Sequence, residues 1–172
     1  ATGSLRRGAG VAGMWYGCGN TSLPNPSTMR VGLKADGRIA LHQGALDIGQ
    51  GSNTILTQIA ADALGASAAD IALVMGDTAR TLDAGKTSAS RQTFVTGKAC
   101  ELAALDLKAK LAQLKDRAAL RVLPPDNHGD VLTGHGRFDP PTTPLDANGQ
   151  GVPYACYGFA TQVALVEVDL DL

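Results

Sequence analysis

The chain has 172 residues, 44% of them hydrophobic, and a formal charge of −1 at pH 7, which suits one soluble globular domain with a real core. That balance offers no basic surface for nucleic acid, and no apolar run nears the roughly 20 residues that cross a bilayer. Three scattered cysteines, Cys18, Cys100 and Cys156, argue against a disulfide framework, a zinc site or an iron–sulfur cluster held by this chain alone.

The start, Ala1 to Gly10, holds two arginines but no apolar stretch after them, so no secretory leader is expected there, and a cytoplasmic protein with reduced thiols is. With no initiator Met, the chain reads as an excised or processed piece. The 21 glycines against 4% aromatics imply many tight backbone passages, as in a site built from loops.

In chain order, residues 12–28 are rich in glycine, proline and serine around a Trp–Tyr pair and read as extended or looping. Met29 to Leu33 alternates as a strand. Asp36-Gly37 marks the centre of a two-residue hairpin turn, and Ile39 to Leu46 returns as the partner strand. Ser52 to Leu64 carries apolar residues at helical spacing, with Ser52 or Asn53 as its cap and Gly65 as its end. Ala69 to Met75 is a short strand. Residues 76–97 have no period and make a loop long enough to be functional or flexible.

Lys98 to Leu114 is a second helix, with Leu102, Leu105, Leu107, Leu111 and Leu114 mostly on one side. Residues 124–153 contain six of the eight prolines and read as irregular surface chain. Thr161 to Leu172 alternates as a strand whose sheet partner is expected beyond the end of the chain. The whole is α+β: a mixed sheet with two main helices on one face.

The residues that could do chemistry are few. His42, His128 and His135 lack metal-ligand spacing, and each reads as a satisfied or exposed histidine. Asp47, Asp77 and Asp83 lie near glycine loops, where aspartates commonly form turns. No nucleophile elbow or phosphate-binding P-loop occurs, and "GQGSNT" (49–54) fails the dinucleotide fingerprint because residue 54 is Thr.

Two segments remain, "GQGSNT" and "GKTSASRQT" (85–93). Each precedes a helix and gathers hydroxyls, amides and main-chain N–H groups, which suit phosphates and heterocycle edges rather than bond-breaking. On residues alone, a ligand site and a helix cap with a tight turn stand level.

"DIGQGSNTILTQIAADALG", "VMGDTARTLDAGKTSASRQTFVTG" and "PYACYGFATQVALVEVDLDL", in that order, resemble the molybdopterin-binding subunit of the molybdenum hydroxylases, the xanthine dehydrogenase and aldehyde oxidase family. "GMWYGCGNTSLPNPSTMRVGL" is similar to the lead-in of the bacterial aldehyde oxidoreductases. The resemblance covers nearly the whole chain, is weakest at 115–135, and matches only part of the family's subunit. It implies that residues 1–172 are a partial molybdopterin-cofactor-binding domain.

The family hydroxylates aldehydes or electron-poor N-heterocycles with oxygen from water. Its electrons leave through iron–sulfur and usually flavin centres, which are expected elsewhere in the complex. By match, Gly49, Gln50 and Gly51 touch the pterin, the glycines by main-chain approach and Gln50 by its amide. Ala89, Ser90, Arg91 and Gln92 form a second cofactor contact, with Ala89 nearest the metal and Arg91 adding a charge-assisted bond. In bacterial members the cofactor is often a cytosine dinucleotide form.

The family's catalytic glutamate matches nothing here, so no catalytic residue and no protein ligand to the metal is assigned. The remainder of the subunit is the expected partner. The rival readings are a non-catalytic binding module using the same loops for another anionic ligand, and a purely structural domain.

Overall fold

The computed structural model describes residues 3–114 and 116–172. Its elements are β1 (Leu5–Gly17), β2 (Ser27–Leu33), β3 (Ile39–Gln43), α1 (Ser52–Leu64), β4 (Ile71–Met75), α2 (Gly97–Gln113), β5 (Leu132–Phe138) and β6 (Tyr157–Asp169). The class is α+β, but the strands form two sheets. One is mixed and four-stranded, in the order β4-β3-β2-β5; the other is the β1-β6 ribbon. β3 and β4 run parallel, and the other pairs are antiparallel.

Alternation builds the central sheet. Met29, Val31 and Leu33 of β2 point to one face and are buried there with Leu41, Ile71, Leu56, Ala60, Ala103 and Leu107, as a period of two requires. Both helices pack on that face and against each other. The other face carries charge: Asp130 accepts from Arg30 at 2.8 Å and Lys34 at 3.2 Å, and its Oδ2 lies 2.8 Å from His42 Nε2. His42 is thus a satisfied buried histidine. Burial pulls its pKa down, and Arg30 pulls it further, against the opposing pull of Asp130.

The turn between β2 and β3 is longer than the expected two-residue centre. Gly37 N–H donates to Lys34 O at 2.9 Å, and Lys34 N–H to Arg38 O at 2.9 Å. The tight turn is therefore Lys34–Gly37, and Gly37 takes the left-handed conformation at φ +89°.

The 124–153 stretch contains β5, a full partner of β2 from Leu33↔Leu132 to Ser27↔Phe138. Its pattern Leu-Thr-Gly-His-Gly-Arg-Phe hides it, because the two central core-facing positions, Gly134 and Gly136, are glycines. A Cβ at Gly134 or Gly136 would run into the main chain of α2 at Ala103 and Ala99. Hence α2 does not bury its leucine side. Ala99, Cys100, Ala103, Ala104 and Leu107 are buried, Leu105 is exposed, and Leu102, Leu111 and Leu114 are only partly covered. Small residues on both surfaces let helix and strand backbones touch.

β6 finds its partner inside the chain. β1, whose last residues (12–17) fall in the segment read as extended or looping, pairs with it from Leu5↔Asp169 to Gly17↔Tyr157. Both faces of this ribbon are open, with Trp15, Phe159 and Leu165 among its exposed apolar residues.

The close helix–strand approach makes a prediction. Gly134→Ala should destabilise the folded protein by about 3 kcal/mol, the upper range for overpacking a tight core, read as a drop in the urea midpoint. Gly10→Ala, where an added Cβ meets nothing within 4 Å, should leave the midpoint nearly unchanged.

Candidate functional site

The residues from Leu46 to Gly51 turn sharply into α1, and Gly49 and Gly51 both take positive φ, +100° and +86°. Neither Ser52 nor Asn53 is the cap. Gly51 holds the cap position and offers no side chain, so the helix start is filled by Asp47. Its carboxylate accepts from Asn53 N–H at 3.0 Å, Gly49 N–H at 2.8 Å and Gly51 N–H at 3.4 Å. These bonds favour the ionised form and hold its pKa below the ordinary carboxylate value.

The anion expected at this helix start is therefore the chain's own. Gln50 folds back on the same loop. Its Oε1 accepts from Ile48 N–H at 2.6 Å, and its Nε2 donates to Leu46 O at 3.3 Å. The side chain is exposed, so solvent or a ligand can compete for both atoms.

The second segment is held from beneath by Arg91. Its side chain is almost wholly buried, and all five N–H donors have acceptors within the chain. Nε donates to Asn25 Oδ1 at 2.6 Å. Nη1 donates to Ala84 O at 2.6 Å and Lys86 O at 3.2 Å, and Nη2 to Asn25 O at 3.1 Å and Pro26 O at 2.7 Å. Burial lowers its pKa against the pull of Asp83 and Asp139, yet a guanidinium stays charged.

This corrects the expected charge-assisted bond from Arg91 to a cofactor, because the guanidinium has no free donor. Gln92 is also turned inward. Its Nε2 donates to Lys86 O and Thr87 Oγ1, each at 3.2 Å, and its Oε1 meets Thr96 Oγ1. Residues 76–97 lack sequence period because long polar side chains, not an apolar stripe, fasten them.

Above these anchors the main chain is strained. Ala89 and Ser90 are consecutive non-glycine residues at φ +52° and +53°, a conformation that costs on the order of 1–3 kcal/mol each and gathers at ligand sites. Ala89 O accepts from Gly19 N–H at 2.8 Å, which fixes the turn from outside. One π-helical turn, Gln92–Thr96, then leads into α2, a feature frequent at functional sites.

The two segments meet. Ile48 and Gln50 face Thr87, Ser88, Ala89, Ser90, Arg91, Gln92 and Thr93 across one cleft of about 420 Å³. Thr87 Oγ1 ties the segments together by donating to Leu46 O at 2.8 Å. Gly49 and Gly51 stand behind Gln50 in the turn and do not line the cleft. Hydroxyls, one exposed amide and main-chain edges face it. No cluster of three or more His, Cys, Asp or Glu side chains able to hold a metal occurs among the described residues. The groups present suit an organic, polar, partly anionic ligand.

Sequence reasoning missed Asp47 as the cap and Arg91 as the floor. An Asp four residues before a Gly-X-Gly turn's last glycine was the available signal for the first. For the second, the sequence offers no signal, because Asn25 and Pro26 are 65 or more residues away in the chain.

A family model described as "Molybdopterin cofactor-binding domain" matches residues 1–172. A Bacillus subtilis (strain 168) protein described as a probable xanthine dehydrogenase subunit is 36% identical over 118 residues, 68% of this chain and 15% of that protein. The Escherichia coli O157:H7 "Xanthine dehydrogenase molybdenum-binding subunit" is 36% identical over 115 residues, 63% of this chain and 15% of that protein. The crystal structure of the aldehyde oxidoreductase from Desulfovibrio desulfuricans superposes with a TM-score of 0.81 at 31% identity. It covers 98% of this chain, which spans 19% of that one.

Two measurements check the anchors. Arg91→Lys retains the charge but has at most three donors, so it should cost about 3 kcal/mol in unfolding free energy and speed amide exchange across residues 84–88. The Asp47 cap has the opposite sign from a raised pKa. Its contribution is complete above the ordinary carboxylate range and is lost as the pH falls through its depressed folded value. Exchange at the Gly49, Gly51 and Asn53 amides, corrected for intrinsic rate, should therefore accelerate only below that range, and Asp47→Asn should abolish the transition.

Proposed function

The chain belongs to the molybdopterin cofactor-binding domain family, and on that premise we propose that its two small-residue segments form one wall of the cofactor's site. The observation that carries this is the shared cleft: Gln50 and the Thr87–Thr93 main chain, some 40 residues apart, face the same space. Gln50 supplies an amide that can exchange its loop partners for the edge of a pterin. Gly49 and Gly51 supply the turn that brings Gln50 to the surface, not a docking platform of N–H groups.

Because Asp47 already occupies the helix start, the anionic end of the cofactor is repelled there. It belongs instead at the Ala89–Gln92 turn, where Ser88, Ser90 and Thr93 offer hydroxyls and the buried Arg91 charge lies below. Ala89 and Ser90 present main chain to the ligand. Arg91 and Gln92 are positioning residues that act through the backbone they hold. A cytosine dinucleotide form would extend the anionic end along this turn.

The bound cofactor supplies a redox-active molybdenum centre. The similarity to xanthine dehydrogenase subunits and to an aldehyde oxidoreductase supports an oxidoreductase acting on an aldehyde or an N-heterocycle, with electrons leaving through iron–sulfur and flavin centres in other domains or subunits. The chain spans about one seventh of the curated relatives it matches. The remainder of the subunit would therefore supply the opposite wall and the acid–base groups, and would cover the open β1–β6 ribbon.

Gln50→Ala in the full-length protein, purified from a host that makes the cofactor, should reduce bound molybdenum and pterin. The loss of one polar contact, about 0.5–1.5 kcal/mol, corresponds to a roughly 2- to 12-fold weaker hold. The unfolding midpoint of the cofactor-free protein should move little, since the amide is exposed. Full metal and pterin content in the variant, measured at limiting cofactor supply, would remove Gln50 from the site.

A further inference from the structure

At the inner end of the β1–β6 ribbon two cysteines stand directly opposite each other. The ladder ends at Gly17↔Tyr157, and the next pair in register is Cys18 and Cys156, whose main chains are joined by Cys18 N–H donating to Cys156 O at 3.0 Å. Both thiols are free and half-exposed. Opposed residues on an antiparallel pair project to the same side. A pair joined by such a bond has its Cα atoms about 5.5 Å apart, within the roughly 4.4–6.8 Å that disulfides span.

The flanking chain holds this geometry. The Tyr154 ring fills the space where a side chain at Gly17 would stand, Tyr154 Oη meets Thr21 Oγ1, and Ser22 N–H donates to Pro153 O at 3.0 Å. The third cysteine is a different case. Cys100 is buried in the core with its thiol pushed up to about 12, and its Sγ donates to Leu56 O at 3.4 Å.

We propose that Cys18 and Cys156 are a thiol–disulfide exchange site that takes low-molecular-weight disulfides of the glutathione class. A thiolate of the pair attacks one sulfur of the oxidised glutathione, and one glutathione leaves as its thiolate. The second cysteine then attacks the mixed disulfide and expels the other. Two protein thiols and one small disulfide become one Cys18–Cys156 bond and two glutathione thiols, so the protein loses two electrons and two protons and the small disulfide gains them.

The bond is reversible because the two strands are not spaced ideally for it. Directly opposed Cβ atoms in a ladder lie about 4.5–5.5 Å apart, whereas a relaxed disulfide needs about 3.5–4.5 Å, and a strained bond is more readily reduced. Burial, then the neighbouring Cys18 thiol, pushes Cys156 up to about 11, so the exchange quickens as the pH rises. The pair sits one residue from Gly19, whose N–H holds Ala89 O, so closing the bond stiffens the outer support of the strained turn.

The test uses the full-length protein equilibrated in glutathione buffers of graded oxidation, acid-quenched, alkylated and digested without reductant. Mass mapping should show the Cys18 and Cys156 peptides joined at the oxidising end and released by dithiothreitol. Alkylation of the two should be lost in equal proportion while Cys100 stays unlinked. Cys156→Ser should leave Cys18 carrying one glutathione, the trapped intermediate. If both cysteines remain alkylated across the whole series, or each ends with its own glutathione, or either joins a different cysteine, the assignment is overturned. None of these results depends on whether the cofactor binds.

Discussion

Five hydrogen bonds from one guanidinium decide where the cleft is. Arg91 gathers carbonyls from Asn25, Pro26, Ala84 and Lys86, so the entry to β2, the loop before α2 and the turn that leads into α2 share a single point. An unpaired carbonyl in such a place would cost on the order of 1–3 kcal/mol, and a lysine cannot reproduce the planar fork. With the floor fixed, the strain at Ala89 and Ser90 becomes tolerable, because the surrounding bonds over-determine the turn. The cleft's chemistry then follows from what is left over: hydroxyls, main chain and the Gln50 amide.

The two halves of the site reach stability differently. The Gly49–Gly51 loop is closed by an internal anion and a side chain folded on its own backbone, so it is complete without a ligand. The Ala89–Gln92 turn stores strain and keeps a buried positive charge that has no direct carboxylate partner among the described residues. A ligand that bridges the two gains more from the second half, where a negative group answers the field of Arg91, than from the first, where Asp47 stands in its way. On the proposed reading, this asymmetry would orient an elongated cofactor along the cleft.

What the sequence revealed follows the range over which each signal acts. β2, β3, β4 and α1 were legible because a period of 2 or 3.6 in apolar residues is local. Gly65 was legible as a stop, and the chain closes α1 through Gly65 N–H to Asp62 O and Ala66 N–H to Ala61 O. β5 was not, since Gly134 and Gly136 are core positions that look like loop. The buried face of α2 was misread for the same reason: leucines normally mark the core, but here methyl groups meet a bare backbone. β1 was hidden by its four glycines and by a partner 140 or more residues away. The two cleft segments stood out by their small polar residues, but only the family resemblance favoured a cofactor over a helix cap with a tight turn, and the long-range fastening of Arg91 to Asn25 and Pro26 left no local trace.

The backbone-to-backbone contact of α2 with β5 also shapes how this domain responds to temperature. Where glycines meet alanines, attraction comes mainly from dispersion between closely packed atoms, and little apolar side-chain surface is hidden per residue. Heat capacity on unfolding grows with the apolar surface released. A core of this kind therefore bends the stability curve less than a leucine core of equal size. At equal peak stability, the wall it holds beneath the cleft would keep its shape over a wider thermal range, at both the cold and the warm end.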